Sequence, residues 1–275
     1  MPISFKTAQT PRKNLRTLAI LGFTALALPL TAAVANAASI SVTATVRDFS
    51  ISHPDFESAI GSEKDIVEST LGADGKPVYN VALKGLTGGS SPTTTGKANF
   101  DQWYNDVPGT NHTFTTTLTA NETFAGSGIF TYANGAYFPA NGLGFGDEGL
   151  GNNFAFTSEI HTSFTYQGGE TFDFTGDDDV WVFINGVLAI DLGGVHGPES
   201  DSVALDTDAA TLGISVGGTY DLDIFQAERH TSGSTFNFTT SIVLVDAPDI
   251  SEPGMLAVFG LGIAVIGFAR RKRTA

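Results

Sequence analysis

Cysteine is absent from all 275 residues. Disulfides, zinc–thiolate centres and thiol nucleophiles are thereby excluded together, and stability has to come from a packed core or from bound ions. Basic residues are scarce through the middle of the chain. Of the 14 Lys and Arg, eight sit in the first 16 and last six residues, leaving six against all 29 acidic residues between Asp48 and Glu252, a net of −23. A field of that sign repels nucleic acid and anionic lipid and attracts divalent cations, so no nucleic-acid partner is expected. The G-x-S-x-G and HExxH signatures of hydrolases are also missing. What the chain has instead is phenylalanine, 21 of them, enough to fill the core of one large β domain or two small ones.

The two ends read as targeting segments. Lys6, Arg12, Lys13 and Arg16 precede an apolar run from Leu18 to Leu30, and Ala35-Asn36-Ala37 follows as a small-residue cleavage site, which makes residues 1–37 a signal peptide whose apolar run is helical. At the other end, residues 246–254 have the proline and acidic content of a linker. Met255 to Ala269 is uncharged and apolar and stops at Arg270-Arg271-Lys272-Arg273. Fifteen residues of helix reach about 22 Å, short of the roughly 30 Å hydrocarbon core, which suits transient inner-membrane association. A retained single-pass anchor with a cytoplasmic basic tail is the alternative.

Between these ends, residues 38–245 are dominated by period-two alternation bounded by glycine and Asn-Gly turns, the pattern of strands with one face buried. SISVTATVRDF alternates from Ser39 to Phe49. A Phe-x-Phe-Thr start recurs at Phe154, Phe172 and Phe236 and puts both rings on one face. Asn185-Gly186, set between VWVFI and VLAIDL, predicts a hairpin over Val180 to Leu192, because a type I′ turn needs positive φ at both central residues. Trp181 within it is expected in the core. Only SEKDIVESTL from Ser62 and the NFDQWYND segment around Trp103 look helical. The fold class predicted is all-β, a sandwich or barrel.

Three consecutive carboxylates, Asp177, Asp178 and Asp179, open that hairpin. Two unit charges about 4 Å apart repel by roughly 4 kcal/mol at an effective dielectric near 20, so a cluster beside a buried strand calls for a counter-charge. Calcium is one candidate, being a hard cation that takes oxygen ligands. The other reading is a solvated turn. The EF-hand pattern does not apply, since Trp181 stands where an oxygen ligand is required.

At this level the chain resembles the fibro-slime domain proteins, a branch of the β-barrel superfamily named after the anthrax protective antigen. The resemblance is carried by VRDFSISHPDFE, FDQWYNDVPGTN, YFPANGLGFGDEG, the long block ending GDDDVWVFINGVLAIDLGGVH, and LGISVGGTYDLDIFQAERHTSGSTFNFTTSI. It implies a twisted β-sandwich barrel whose adhesin relatives bind sugar through a calcium ion held by two neighbouring aspartates joined by a cis peptide. Asp177 and Asp178 match those positions, and Asp179 stands where the superfamily often has a small residue. The second calcium loop of those relatives matches AERHTSGSTFN, where His230, Ser232, Ser234 and Asn237 are the candidate ligands. Trp103, Tyr104, His196 and Arg229 are candidates to line a glycan face. The duller alternatives are that Trp103 and Tyr104 plug the barrel end, that Arg229 pairs with Glu228 or Asp223, and that His196 closes a turn.

The C-terminus resembles the PEP-CTERM sorting signal of Gram-negative bacteria, with Glu252, Pro253, Arg270 and Arg271 in matching places and Ser251 where the first proline of the motif belongs. That resemblance implies an exosortase-type partner and a place at the cell surface or in the extracellular matrix. The function expected is a calcium-dependent module engaging extracellular polysaccharide. The competing readings are a matrix protein using calcium only for rigidity and, more remotely, a glycosidase using Asp177 with Asp191 or Glu228 with His230.

Overall fold

A computed structural model describes residue 1 and residues 37–57, 60–82 and 91–246. The apolar run of the signal segment, Ala35, and the sorting residues Glu252, Pro253, Arg270 and Arg271 lie outside the described residues. Among those described, no helix is long and apolar enough to cross a membrane.

The chain is almost entirely β. The first half contributes β1 (Ser39–Phe49), the short β2 (Gly61–Ser62), one helical turn α1 (Lys97–Phe100), β3 (Asn111–Glu122) and β4 (Phe130–Asn134). The second half runs β5 (Phe156–Thr165), β6 (Thr171–Gly176), β7 (Asp179–Ile184), β8 (Val187–Leu192), β9 (Gly194–Val195), β10 (Glu199–Ala204), α2 (Leu205–Leu212), β11 (Thr219–Glu228), β12 (Phe236–Thr240) and β13 (Val245–Asp246). The main sheet follows the order β10-β6-β12-β4-β3-β1-β5-β11-β7-β8, with β13 pairing β5, and β2 pairs β9 separately. Every one of these pairings is antiparallel. The outer strands β8 and β10 come side by side, so the sheet curls into a nearly closed barrel.

The period-two pattern explains the inside. Val42, Ala44 and Val46 of β1, Phe172 and Phe174 of β6, Leu222 and Ile224 of β11, and Phe236 and Phe238 of β12 all point into one core. Each such ring or branched side chain contributes roughly 1.5–3 kcal/mol by leaving water. The expected hairpin is β7–β8, and its turn residues Asn185 and Gly186 have φ of 53° and 72°, as a type I′ turn requires. Trp181 is fully buried, its indole N–H donating to Asp191 Oδ1 at 3.0 Å.

The helix expectations fare differently. Ser62 to Leu71 is not helical; Val67 and Thr70 make isolated bridges to Tyr79 and Val187. Around Trp103 only the turn α1 forms, followed by non-helical turns. Helix α2 was not expected from the pattern; Asp206 and Asp208 in its first turn and the left-handed Gly213 at its end are the signals that mark it.

The connections sort by end. Tight links join β3 to β4, β5 to β6 and β7 to β8 at one end of the barrel. The opposite end carries residues 50–57, 60–82, 91–110, 135–155, 177–178, 193–198 and 229–235. All of the long irregular segments described therefore gather there, the arrangement by which a rigid scaffold presents a site.

Candidate functional site

The aspartate triplet spans the corner where β6 passes into β7 at this loop-rich end. The peptide between Asp177 and Asp178 is cis. Asp177 is tied to the β12 side, donating its N–H to the Thr235 carbonyl at 3.2 Å and accepting the Thr235 N–H on Oδ1. Asp178 faces two loops at once: Oδ1 accepts the N–H of His196 at 3.1 Å and Oδ2 the N–H of Arg229 at 2.8 Å. Its carboxyl is pushed up to about 7, by burial first and then by the neighbouring Asp179 and Asp177 charges, with the Arg229 N–H working against this. Asp177 is raised as well, again chiefly by burial.

These two aspartates form part of the wall of an open pocket of about 140 Å³, completed by Ile60, Val195, His196, Gly197, Pro198, His230, Thr231, Ser232 and Gly233. The expected residues His196 and His230 are thus brought to the pair. His196 is held by the Gly197 and Leu192 carbonyls at 2.8 and 3.2 Å, and His230 by the Thr231 carbonyl at 3.0 Å. Glu57 braces the second loop, donating its N–H to the Arg229 carbonyl at 2.6 Å and accepting the Thr231 N–H at 2.9 Å.

Asp179 is a different kind of residue from its neighbours, and the expectation that it ligates a metal is corrected. It is fully buried, and both its oxygens are taken: Oδ2 by Arg229 Nε at 2.5 Å, Oδ1 by Arg229 Nη2 at 3.0 Å and by the Gly194 N–H at 2.6 Å. Arg229 is equally buried, so it does not line a glycan face, and its carboxylate partner is Asp179 rather than Glu228 or Asp223. The guanidinium lies 4.7 Å from the centre of the Trp103 ring and reaches the Thr93 carbonyl. Trp103 itself donates to Asp55 Oδ2 at 3.0 Å. Trp103 and Tyr104 are both buried in a second apolar cluster with Trp181, Phe183 and Phe225, which removes them from any glycan surface and makes them the plug of the barrel end.

Asn237 is also misplaced by sequence reading. Phe236 and Phe238 point into the core, so Asn237 between them points out, and its side-chain oxygen accepts the Asn134 N–H at 2.6 Å. It is not among the residues lining the pocket. Nor are the pairs considered for acid–base chemistry assembled. Asp191 accepts from Asp65 N–H, Trp181 Nε1 and Gly193 N–H. Glu228 is buried, with His230 turned to Glu57 at 3.9 Å.

Sequence reasoning missed Ile60, exposed at the pocket edge, and Pro198. The Glu228 carboxylate is buried and held well above the usual carboxylate range, by desolvation first and then by the Asp178 and Asp177 charges. Among the described residues no three Asp, Glu or His side chains converge to ligate an ion by themselves. A calcium ion here would take carboxylate oxygens from Asp177 and Asp178 and its remaining oxygens from the backbone of the 230–233 loop, water or a ligand, a hard all-oxygen set of the kind the ion prefers. A larger depression of about 250 Å³, between Lys76, Phe100 and Asn105, shares no residue with this site. Its lysines are engaged, Lys76 with the Tyr104 carbonyl and Lys97 with Asp101.

Residues 149–254 match the family model described as the PA14 domain. That span contains β5 to β13 and every pocket residue except Ile60. The chain is 40% identical over 215 residues to Protein psiD of Dictyostelium discoideum, a match covering 74% of this chain and 42% of psiD. It is 39% identical over 220 residues to Protein psiR of the same organism, covering 74% of this chain and 21% of psiR. The chain thus spans less than half the length of these curated relatives. Among solved structures it is similar to the PA14 domain of the MpAFP antifreeze protein, at TM-score 0.29 and 12% identity over 47% of this chain and 80% of that one. It is similar also to a PA14 sugar-binding domain from an RTX adhesin, at TM-score 0.27 and 11% identity over 42% and 75% of the two chains.

Proposed function

We propose that this chain is an exported β-barrel module of the cell surface or extracellular matrix that binds calcium at Asp177 and Asp178 and engages polysaccharide there. One observation carries the reading: two adjacent, largely dehydrated carboxylates form the wall of an open pocket at the end of the barrel where the long loops gather. Buried like charges need a cation, and an open site leaves room for a second ligand on that cation. The match to the PA14 domain over this segment supports the same reading.

Bound calcium would supply a Lewis-acidic centre for sugar hydroxyls. The protein's part is to hold it. Asp178 is fixed by two backbone N–H groups, Asp177 by a third, and His196, His230 and Thr231 present polar groups around the opening while Ile60 and Pro198 offer apolar edges. Such a mixture suits a pyranose, whose faces are apolar and whose rim carries hydroxyls. The openness of the pocket favours sugar binding over the competing reading, in which calcium only rigidifies a matrix protein. In this proposal the fibro-slime character and the exosortase-read C-terminal signal account for delivery to the surface of a Gram-negative bacterium.

The test is a calorimetric titration of calcium into the chain and into an Asp177→Asn/Asp178→Asn variant. Binding by the parent chain and its loss in the variant support the site. Equal binding in both refutes it.

A further inference from the structure

Strand β3 is paired along one side only. It runs against β1 without a register shift from Asn111 opposite Phe49 to Asn121 opposite Ser39, yet it meets β4 only at Asn121 and Glu122. Among the described residues no strand is hydrogen-bonded to its other side between Asn111 and Ala120. The Glu122 N–H donates to the Ala38 carbonyl, so the even-numbered residues of β3 bond to β1 and the odd-numbered ones turn their backbone groups away. The N–H and C=O groups of Thr113, Thr115, Thr117 and Thr119 therefore form an open edge, and the same four residues are exposed.

Open edges are a hazard that soluble proteins blunt with lysine, proline, a bulge or a covering segment. Thr113 to Asn121 reads TFTTTLTAN, with neither a charge nor a proline, and its pairing with β1 contains no bulge. The neighbouring rank on β1, Ser41, Thr43 and Thr45, stands opposite Thr119, Thr117 and Thr115 and is uncharged too. Charge returns only at the ends of this face, where it is already engaged. Arg47 pairs with Asp106 and Glu159, and Glu122 accepts the N–H groups of Ala38, Gly126 and Gly128. In a chain with 29 acidic residues against 14 basic ones, a neutral face of this length is where two copies can approach without repulsion.

We propose that the open edge of β3 pairs with the same edge of a second copy, joining two barrels into a two-fold dimer through one continuous sheet. An antiparallel pairing centred on Thr116 sets Thr113 opposite Thr119, and Thr115 opposite Thr117, of the second copy. Each open N–H then finds a carbonyl, and threonine faces threonine along the seam, a favourable cross-strand pair. The contact is isologous, so it closes at two copies instead of running on as a fibre. No residue of this edge lines the Asp177–Asp178 pocket, and the dimer does not depend on calcium binding there.

The test is sedimentation velocity of the full chain, in chelator and in a non-ionic detergent that shields its apolar terminal runs, over about 1 to 100 µM. The parent is expected to pass from monomer to dimer as concentration rises. Thr117→Pro removes one edge N–H without touching a bond to β1 and should weaken the dimer roughly tenfold or more. Thr115→Lys/Thr117→Lys sets lysine opposite lysine across the seam and should weaken it likewise. Circular dichroism checks the fold of both, and the lysine variant carries the test if the proline variant does not fold. Mixing the lysine variant with Thr115→Glu/Thr117→Glu should restore dimers, which a merely destabilised barrel would not do. A parent that stays monomeric throughout overturns the proposal and leaves the edge to a strand of another protein. A dimer whose dissociation constant is unchanged in the proline and lysine variants overturns the β3 seam as its seat.

Discussion

Arg229 and Asp179 form a closed, fully buried ion pair, Nε to Oδ2 at 2.5 Å and Nη2 to Oδ1 at 3.0 Å, although 50 residues separate them in the chain. The pair has consequences on both sides. Through its backbone N–H, Arg229 holds Asp178; through its guanidinium it anchors Thr93 and Trp103 of the 91–110 segment over the barrel end. Removing one partner leaves an uncompensated buried charge, which costs about 3–5 kcal/mol. Arg229→Met and Asp179→Asn are therefore each expected to lower stability by about that amount in chemical denaturation. The double variant should lose less than the sum of the singles, and full additivity would show that the pair is not coupled.

Asp178 separates ion binding from folding more gently. An Asp178→Asn side chain loses the charge and keeps one acceptor oxygen, enough for one of the two N–H groups that Oδ1 and Oδ2 now serve separately. Calcium binding should disappear, with a smaller loss of stability than truncation to alanine brings. Asp178→Ala abandons both N–H groups and should in addition cost about 1–3 kcal/mol. Denaturant melts of the two variants in chelator distinguish these outcomes.

Gly194 sets how closely the short β2 and β9 strands meet beside the pocket. Its φ is 103°, and a Cβ there would stand 2.3 Å from the Gly61 carbonyl oxygen and 2.4 Å from the Glu63 nitrogen. Backbone, not a yielding side chain, is in the way. Gly194→Ala should destabilise the protein by roughly 2 kcal/mol or more and weaken calcium binding through displacement of His196. A variant as stable as the parent would contradict the close approach.

His161 gives a pH dependence with a definite sign. Burial alone would lower its pKa, but hydrogen bonds to Asp223 at 2.7 Å and Glu159 at 2.8 Å raise it from 6.5 to about 9. A folded-state value above the unfolded one means that the stabilisation is fully present below about pH 6.5 and is lost as pH rises toward 9. Melting temperature should fall across that window, and His161→Gln should flatten the slope. An imidazole that titrates near 6.5 by NMR would refute the network.

Much of this was legible in the chain. Alternating residues in β1, β6, β11 and β12 declare which side chains fill the barrel, and Asn185-Gly186 fixes the β7–β8 register, because both signals are local. Asp177 and Asp178 could be picked out because adjacent carboxylates before an apolar strand are locally anomalous. Nothing local separates Asp179 from them. Its fate is decided by Arg229, which the β7–β11 pairing brings alongside, and by the strand alternation that turns it to the opposite face from Glu228. Trp103 and Tyr104 read from the sequence either as a glycan face or as the plug of the barrel end, because an aromatic pair in a polar segment can serve either purpose; the packing of Ile66, Tyr79 and Phe100 with Trp181 and Phe225 decides for the plug. Glu228 reads from the sequence as a partner for Arg229 or for His230; that it is instead buried away from both side chains is a property of the assembled interior.

Polysaccharide binding tested with and without calcium is the most direct measurement of whether the pocket works as inferred. The full chain would be applied to a glycan array in calcium, in chelator, and as the Asp178→Asn variant. Binding to a defined set of glycans in calcium, abolished by chelator and by the variant alike, is the predicted result. Glycan binding that persists in chelator, or a chain that binds calcium tightly and no glycan at all, would contradict it.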